Sequence, residues 1–429
     1  MEKRYYETLK ETVYYQKLAN GLQVYLLPKP EYNKTFATFS THYGSVDNQF
    51  IPLEETEFIT VPDGVAHFLE HKMFESPKGD VFQDFAKYGA SANAFTSHDV
   101  TTYLFSCTNN LIENLELLLD FVQEPYFTPE NVEKEKGIIG QEINMYEDNA
   151  DWRIYQQTLA QLYPEHPVGI DIAGTIETIS GITDETLYRC YHTFYHPNNM
   201  LLFVIGNFDI EAVSHFIQHN QQQKTFAEPQ QIERFEVQDK TQPLGKKLAL
   251  TMDVSMPKVM IGIKNQDVDG IHPRQQLKNE LAYDFMLDFL FGSSSKNYDQ
   301  LLASGVINDS FGYSQTNDPG VGYTLMSTDT EQPEAFMEAI QKIVTTFDPT
   351  SIEAPTVERF KRKNMGQFIR SLNSVEFIAN QFTRYAFNGM NIFEVIEIMD
   401  EITKEDLVQA FDNFKNQDNW AYTLITSAE

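Results

Sequence analysis

The sequence predicts an α+β chain of two homologous halves, each an antiparallel-rich sheet covered by helices in a sandwich-like α/β layering, joined by a linker. Three observations carry this. The order strand, strand, helix, short helix, strand pair and two longer helices runs once through residues 22–149 and again through 246–371. Each pass closes on a strongly apolar strand, Met200 to Gly206 (MLLFVIG) in the first and Trp420 to Thr426 (WAYTLIT) in the second, as a strand buried on both faces requires. Between the passes, residues 221–245 are rich in Gln, Lys and Pro and lose periodicity. They read as a linker between domains at 1–220 and 246–429.

The elements follow from local chemistry. After a polar lead, Asn20-Gly21 turns the chain into a strand at Leu22 to Leu27, and Thr35 to Tyr43 (TFATFSTHY) is rich in β-branched and aromatic residues. A hairpin across Pro28 to Lys34 would pair the two. Asp63 after Pro62 serves as an N-cap and Ser76-Pro77-Lys78-Gly79 as a stop, giving a helix over Asp63 to Glu75. Val65, Phe68, Leu69, Lys72 and Met73 form its core stripe, in which Lys72 alone has to snorkel.

A helix at Val81 to Tyr88 ends at Gly89, and Ala90 to Ser97 with Thr101 to Ser106 form a strand pair. Small side chains at Ala92 and Ala94, on either side of Asn93, leave backbone accessible at a sheet edge. An extended peptide would add there as a strand; an ordinary tight edge is the other reading. Helices follow at Asn110 to Val122, from Thr128-Pro129 to about Asn149, at Asp151 to Leu162, at Thr183 to Phe194 and over 209–220. The second half places strands at Lys246 to Met256 and Val259 to Lys264 and helices at Gln275 to Phe291 and Ser295 to Ala303. A strand pair at 310–327, helices at Pro333 to Phe347 and Pro355 to Ser371 and a helical region at Ile378 to Phe411 complete it.

Composition narrows the function. Against 32 Lys and Arg stand 62 Asp and Glu, a net charge of −30 spread along the chain, which argues against nucleic-acid binding. Solubility accounts for it, and a preference for basic or extended peptides is the further reading. The opening MEKRYYETLKETVYY lacks the apolar core of a signal peptide, and no window approaches the roughly 18 to 20 apolar residues of a membrane span. Two cysteines, Cys107 and Cys190, in 429 residues suit a reducing compartment, so a cytoplasmic location is expected.

The helix at 63–75 also carries His67, Glu70 and His71 on the side away from its apolar stripe. Residues four apart on a helix stack, so both imidazoles can aim at one point with Glu70 beside it. Imidazole suits Zn²⁺, and a catalytic zinc site has three protein ligands and a water. HxxEH is the reverse of HExxH, in which the glutamate acts as general base. Glu135 and Glu142 lie two turns apart on the helix after Thr128; a carboxylate on its semi-apolar side calls for a cation, which makes Glu142 the candidate third ligand and Glu135 its support. Alone, the two glutamates read more often as a solvated helix face than as metal ligands. The second half has no histidines at the matching positions, so one site per chain is expected.

HFLEH at 67–71, EKEKGIIGQEI with Glu135 and Glu142, LANGLQVYLLP, SANAFTSHDVTTY and HPVGIDIAGTIETI together resemble the pitrilysin/insulinase and mitochondrial processing peptidase type of zinc metallopeptidase. The resemblance implies one Zn²⁺ held by His67, His71 and Glu142, water activation by Glu70, support from Glu135, and substrate backbone aligned along Ala92, Asn93 and Ala94. It departs at one place. The family's second-half Arg and Tyr are matched by Leu302 and Asn308, with Tyr298, Tyr313 and Tyr323 nearby. Some small bacterial members work in pairs, so the chain is expected to be the metal-bearing subunit of a heterodimer closing on a homologous subunit that supplies the Arg/Tyr pair, with a homodimer or a non-catalytic peptide-binding scaffold as alternatives.

Overall fold

The structure, a computed structural model, describes residues 1–77, 79–235, 237, 243, 247–265 and 270–427. It divides into two compact units that are not contiguous in sequence. Unit 1 holds Met1–Ile143, Asp171–Glu236 and Ser371–Phe387; unit 2 holds Asn144–Ile170, Val237–Arg370 and Asn388–Glu429.

In unit 1, β1 (Glu2–Tyr6) and β2 (Glu11–Lys17) form a hairpin within the polar lead, to which the sequence reading assigns no element, followed by β3 (Gln23–Pro28) and β4 (Thr35–Thr41). Two-residue strands β5 (Gln49–Phe50) and β6 (Ile59–Thr60) pair with each other, as do β7 (Glu75–Ser76) and β8 (Gly79–Asp80). The main sheet is completed by β9 (Ser91–Thr96), β10 (Thr101–Cys107) and β11 (Met200–Gly206), in the order β1-β2-β3-β11-β4-β10-β9. The expected pairing of β3 with β4 does not occur. β11 lies between them, parallel to β3 and antiparallel to β4. All seven residues of MLLFVIG are buried, and a central position gives such a strand a neighbour on each side and cover on both faces.

Unit 2 builds its sheet from β12 (Lys247–Thr251), β13 (Lys258–Lys264), β14 (Gly312–Asp318), β15 (Val321–Asp329) and β16 (Trp420–Thr426), ordered β12-β16-β13-β15-β14. β12 is parallel to β16 and the other neighbours are antiparallel. Strand for strand this repeats β3-β11-β4-β10-β9, so the halves share one topology.

The exchanged segments depart from the expected boundaries at 220 and 246, and packing explains both. The helix Ala150–Leu162 covers β13 and β16. Thr158 and Thr423 share a hydroxyl hydrogen bond of 2.7 Å, and a Cβ at Gly262 would stand 2.5 Å from Thr158 Cγ2, so the glycine is what lets the helix lie this close. In unit 1 the helix Val375–Phe387 covers β4 and β11. Phe382 stacks on Phe203 at 4.4 Å and meets Tyr25 edge-on at 4.7 Å. That cover is why β4, like β11, is buried at every position.

Of the expected linker, residues 221–222 finish the helix Ile210–Gln222, and Arg234 bridges to Phe50 and bonds Asp47 Oδ1 at 2.7 Å. Positions 236, 238–242 and 244–245 of it, with Lys246 at the start of the next expected strand, lie outside the described residues.

Phe382→Ala is expected to lower stability by about 3–5 kcal/mol, since the ring is buried between two aromatic partners. Chemical denaturation measures this; a loss below about 1 kcal/mol would contradict the role given to this helix.

Candidate metal centre

The helix Val65–Met73 starts two residues later than the sequence suggests. Its N-cap is Gly64, at φ +94°, where a Cβ would lie 2.4 Å from the Ala173 carbonyl oxygen; only glycine fits. Asp63 instead accepts a hydrogen bond from Asn48 Nδ2 at 3.0 Å. Val65, Ala66, Phe68, Leu69 and Met73 are buried, which fixes the rotation of the helix and turns His67, Glu70 and His71 toward the helix Pro129–Glu147.

Three ligand atoms converge. Glu142 Oε2 lies 3.4 Å from His71 Nε2 and 3.8 Å from His67 Nε2, and the imidazole centroids are 4.6 Å apart. One atom from each residue falls within 4.8 Å of the others. His71 donates from Nδ1 to Glu135 Oε1 at 3.2 Å, the tautomer that leaves Nε2 as a lone-pair donor. His67 Nδ1 is buried without a hydrogen-bond partner among the described residues. Two imidazoles and a carboxylate within this span fit a divalent cation of zinc's ligand preference, as a three-ligand set.

The two imidazoles differ electrostatically. Burial, aided by the neighbouring His71, pushes His67 down to about 3, so it stays neutral and able to bind metal. Burial acts to lower His71 too, but its bond to Glu135 and the nearby carboxylates of Glu70 and Glu142 leave it above the usual histidine value. Burial acts to raise Glu135, and the bond to His71 with the charge of Lys72 holds it below the usual carboxylate range.

Glu70 is 8% exposed, and Thr96 Oγ1 donates to its Oε2 at 2.8 Å. Burial pushes Glu70 up, against that hydrogen bond. The sequence reading missed Thr96 as a partner of Glu70, although strand alternation sets it on the face of Ala92 and Ala94. Lys72 is the other departure. It does not snorkel but is fully buried, paired with Glu75 and 3.6 Å from Glu135 Oε2.

Ala92, Asn93 and Ala94 lie on β9, which ends the sheet. Asn93 Oδ1 accepts from the Ala94 amide at 2.9 Å, and the alanines are half-buried against the core. In unit 2, Leu302 is exposed, and Asn308 is held between the Asp329 carbonyl and the Ser310 amide, both at 2.8 Å. Tyr323 is buried with its hydroxyl 3.2 Å from that of Tyr155, Tyr313 reaches Asp288, and the Tyr298 ring packs on Phe311.

Comparison with known proteins follows this geometry. Residues 61–176 match the profile of the insulinase family, peptidase family M16, and 181–363 that of the peptidase M16 inactive domain. The chain is 49% identical over 402 residues, 94% of each chain, to the uncharacterized zinc protease YmfH of Bacillus subtilis. The crystal structure of a protein designated an M16-like peptidase from Alicyclobacillus acidocaldarius has a TM-score of 0.92 at 37% identity, covering 97% of this chain and 99% of that one. A Helicobacter pylori protease at 18% identity, covering 96% and 99%, shares the fold with a TM-score of 0.79.

Titration with Zn²⁺ against a chromophoric chelator is expected to show binding that His67→Ala abolishes and Glu135→Ala weakens about 10–100-fold. Unchanged affinity in either variant would contradict this arrangement.

Proposed function

The chain belongs to the insulinase family, peptidase family M16, and we propose that it hydrolyses extended peptides at a single zinc site on unit 1. The convergence of His67 Nε2, His71 Nε2 and Glu142 Oε2, with buried Glu70 beside them, carries this reading. His67, His71 and Glu142 would hold the ion. When bound, zinc polarises a scissile carbonyl and makes water a nucleophile near neutral pH.

Glu70 is the general base. The rise in its proton affinity on burial suits it to take a proton from water and return it to the leaving amine. The Thr96 hydroxyl holds one carboxylate oxygen and leaves Oε1 for proton transfer. Glu135 fixes the orientation of His71 through Nδ1. The outer edge of β9, at Ala92, Asn93 and Ala94, would receive the substrate as an added strand, its main chain supplying affinity without demanding a particular sequence.

The second half supports a paired assembly. Leu302 and Asn308 stand at the positions of the family's Arg and Tyr, and Asn308 and Tyr323 are committed to partners inside unit 2. A homologous subunit carrying the Arg/Tyr pair would complete the substrate clamp, and this chain would contribute the metal. The same observation favours, as a second reading, a subunit that binds peptide without cutting it. Both cysteines are free and buried, which supports residence in the cytosol.

Metal content and hydrolysis of a quenched fluorescent peptide mixture test this together. The wild type is expected to carry one zinc, to cleave slowly alone and to be stimulated by the partner, whereas Glu70→Gln keeps the zinc and loses at least about 100-fold in rate. Zinc-loaded chain that cleaves rapidly alone removes the partner requirement; chain without zinc overturns the peptidase reading.

A further inference from the structure

Lys72 occupies a position where a positive charge has no reason to be unless something needs it. It sits on the apolar stripe of the Val65–Met73 helix, and its side chain is 0% exposed. A lysine removed from water is costly unless paired, and a hydrophobic side chain of similar volume usually serves stability as well or better. Its two partners differ. Glu75 is part-exposed, three residues on in the chain, and closes a local ion pair. Glu135 comes from another helix, is itself buried, and its Oε2 faces the Lys72 ammonium at 3.6 Å while its Oε1 accepts from His71 Nδ1 at 3.2 Å.

The two oxygens of Glu135 therefore do two jobs. A carboxylate bonded through one oxygen can still swing about its terminal torsion, which is broad for glutamate; a cation on the second oxygen removes that freedom. We propose that Lys72 is a positioning residue for the metal centre: bridged to Glu75, it clamps Glu135, which in turn fixes the ring of His71 so that Nε2 faces the point shared with His67 and Glu142. The inference rests on the reading of His71 as a metal ligand. Lys72 touches no substrate and no ligand atom of the site, so its whole influence passes through Glu135.

A double-mutant cycle on zinc affinity tests this, with competition against a chelator as the readout and peptide hydrolysis not required. Lys72→Met is expected to weaken Zn²⁺ binding about tenfold in the wild-type background and by less than twofold in the Glu135→Ala background. Thermal unfolding of each metal-free protein is measured alongside, because a purely structural lysine would move that and leave affinity alone. Should Lys72→Met not fold, Lys72→Gln is read the same way, with a loss of at least threefold that vanishes in Glu135→Ala. Unchanged or tighter zinc binding, or an equal loss in both backgrounds, overturns the proposal while the peptidase reading stands. Failure of the wild type to bind zinc overturns both.

Discussion

The centre depends on carboxylates held out of water within reach of imidazole. Glu70 and Glu135 are each 8% exposed, and a buried carboxylate is stable only where donors or cations meet its oxygens. Thr96 meets Glu70, His71 and Lys72 meet Glu135, and Glu142 stands opposite both imidazoles. The fold brings one ligand atom each of His67, His71 and Glu142 within 4.8 Å of the others.

The fold supplies the rigidity this requires. β11 and β4 are buried throughout because helices cover both faces of the sheet, one of them returned from residues 375–387. Gly64 lets the chain pass close to Ala173 where the metal helix begins, so the start of that helix is tied to a distant loop by contact that no other side chain would allow. At the sheet's end β9 has a strand on one side, and the same strand presents Thr96 to Glu70. A peptide pairing with that edge would thus lie along the element that holds the Glu70 carboxylate.

The halves repeat one topology, but they do not repeat the chemistry. Where unit 1 places two histidines and a glutamate on its helices, unit 2 pairs Asp288 of the helix Pro273–Phe291 with Lys363 of the helix Ala354–Ser371 at 2.5 Å. There the Lys363 ammonium is the cation that meets the buried Asp288 carboxylate.

Much of this was legible in the sequence because it rests on local spacing. His67, Glu70 and His71 share a face by helical periodicity, and Glu135 and Glu142 by a two-turn separation, though the two glutamates stand out from a solvated face only through the family resemblance; the strands follow from β-branched, aromatic and continuous apolar runs. The misreadings arose where long-range packing decides. β3 and β4 looked like a hairpin because nothing local reveals that β11, over 150 residues on, inserts between them. Asp63 looked like a cap because capping chemistry is local, whereas the Gly64 conformation answers to Ala173. Lys72 looked like a snorkelling residue because its cation partner requirement belongs to Glu135, on another helix. The exchanged helices were invisible for the same reason: Phe382 has the spacing of any amphipathic helix, and only its fit to Phe203 and Tyr25 shows which sheet it covers.

The central claim is that one metal binds where His67, His71 and Glu142 converge. Anomalous diffraction at the zinc edge from crystals of zinc-loaded protein tests it directly. The account predicts a single strong peak about 2.0–2.2 Å from His67 Nε2, His71 Nε2 and a Glu142 carboxylate oxygen. A peak bound by other residues, or none at this position, would contradict it.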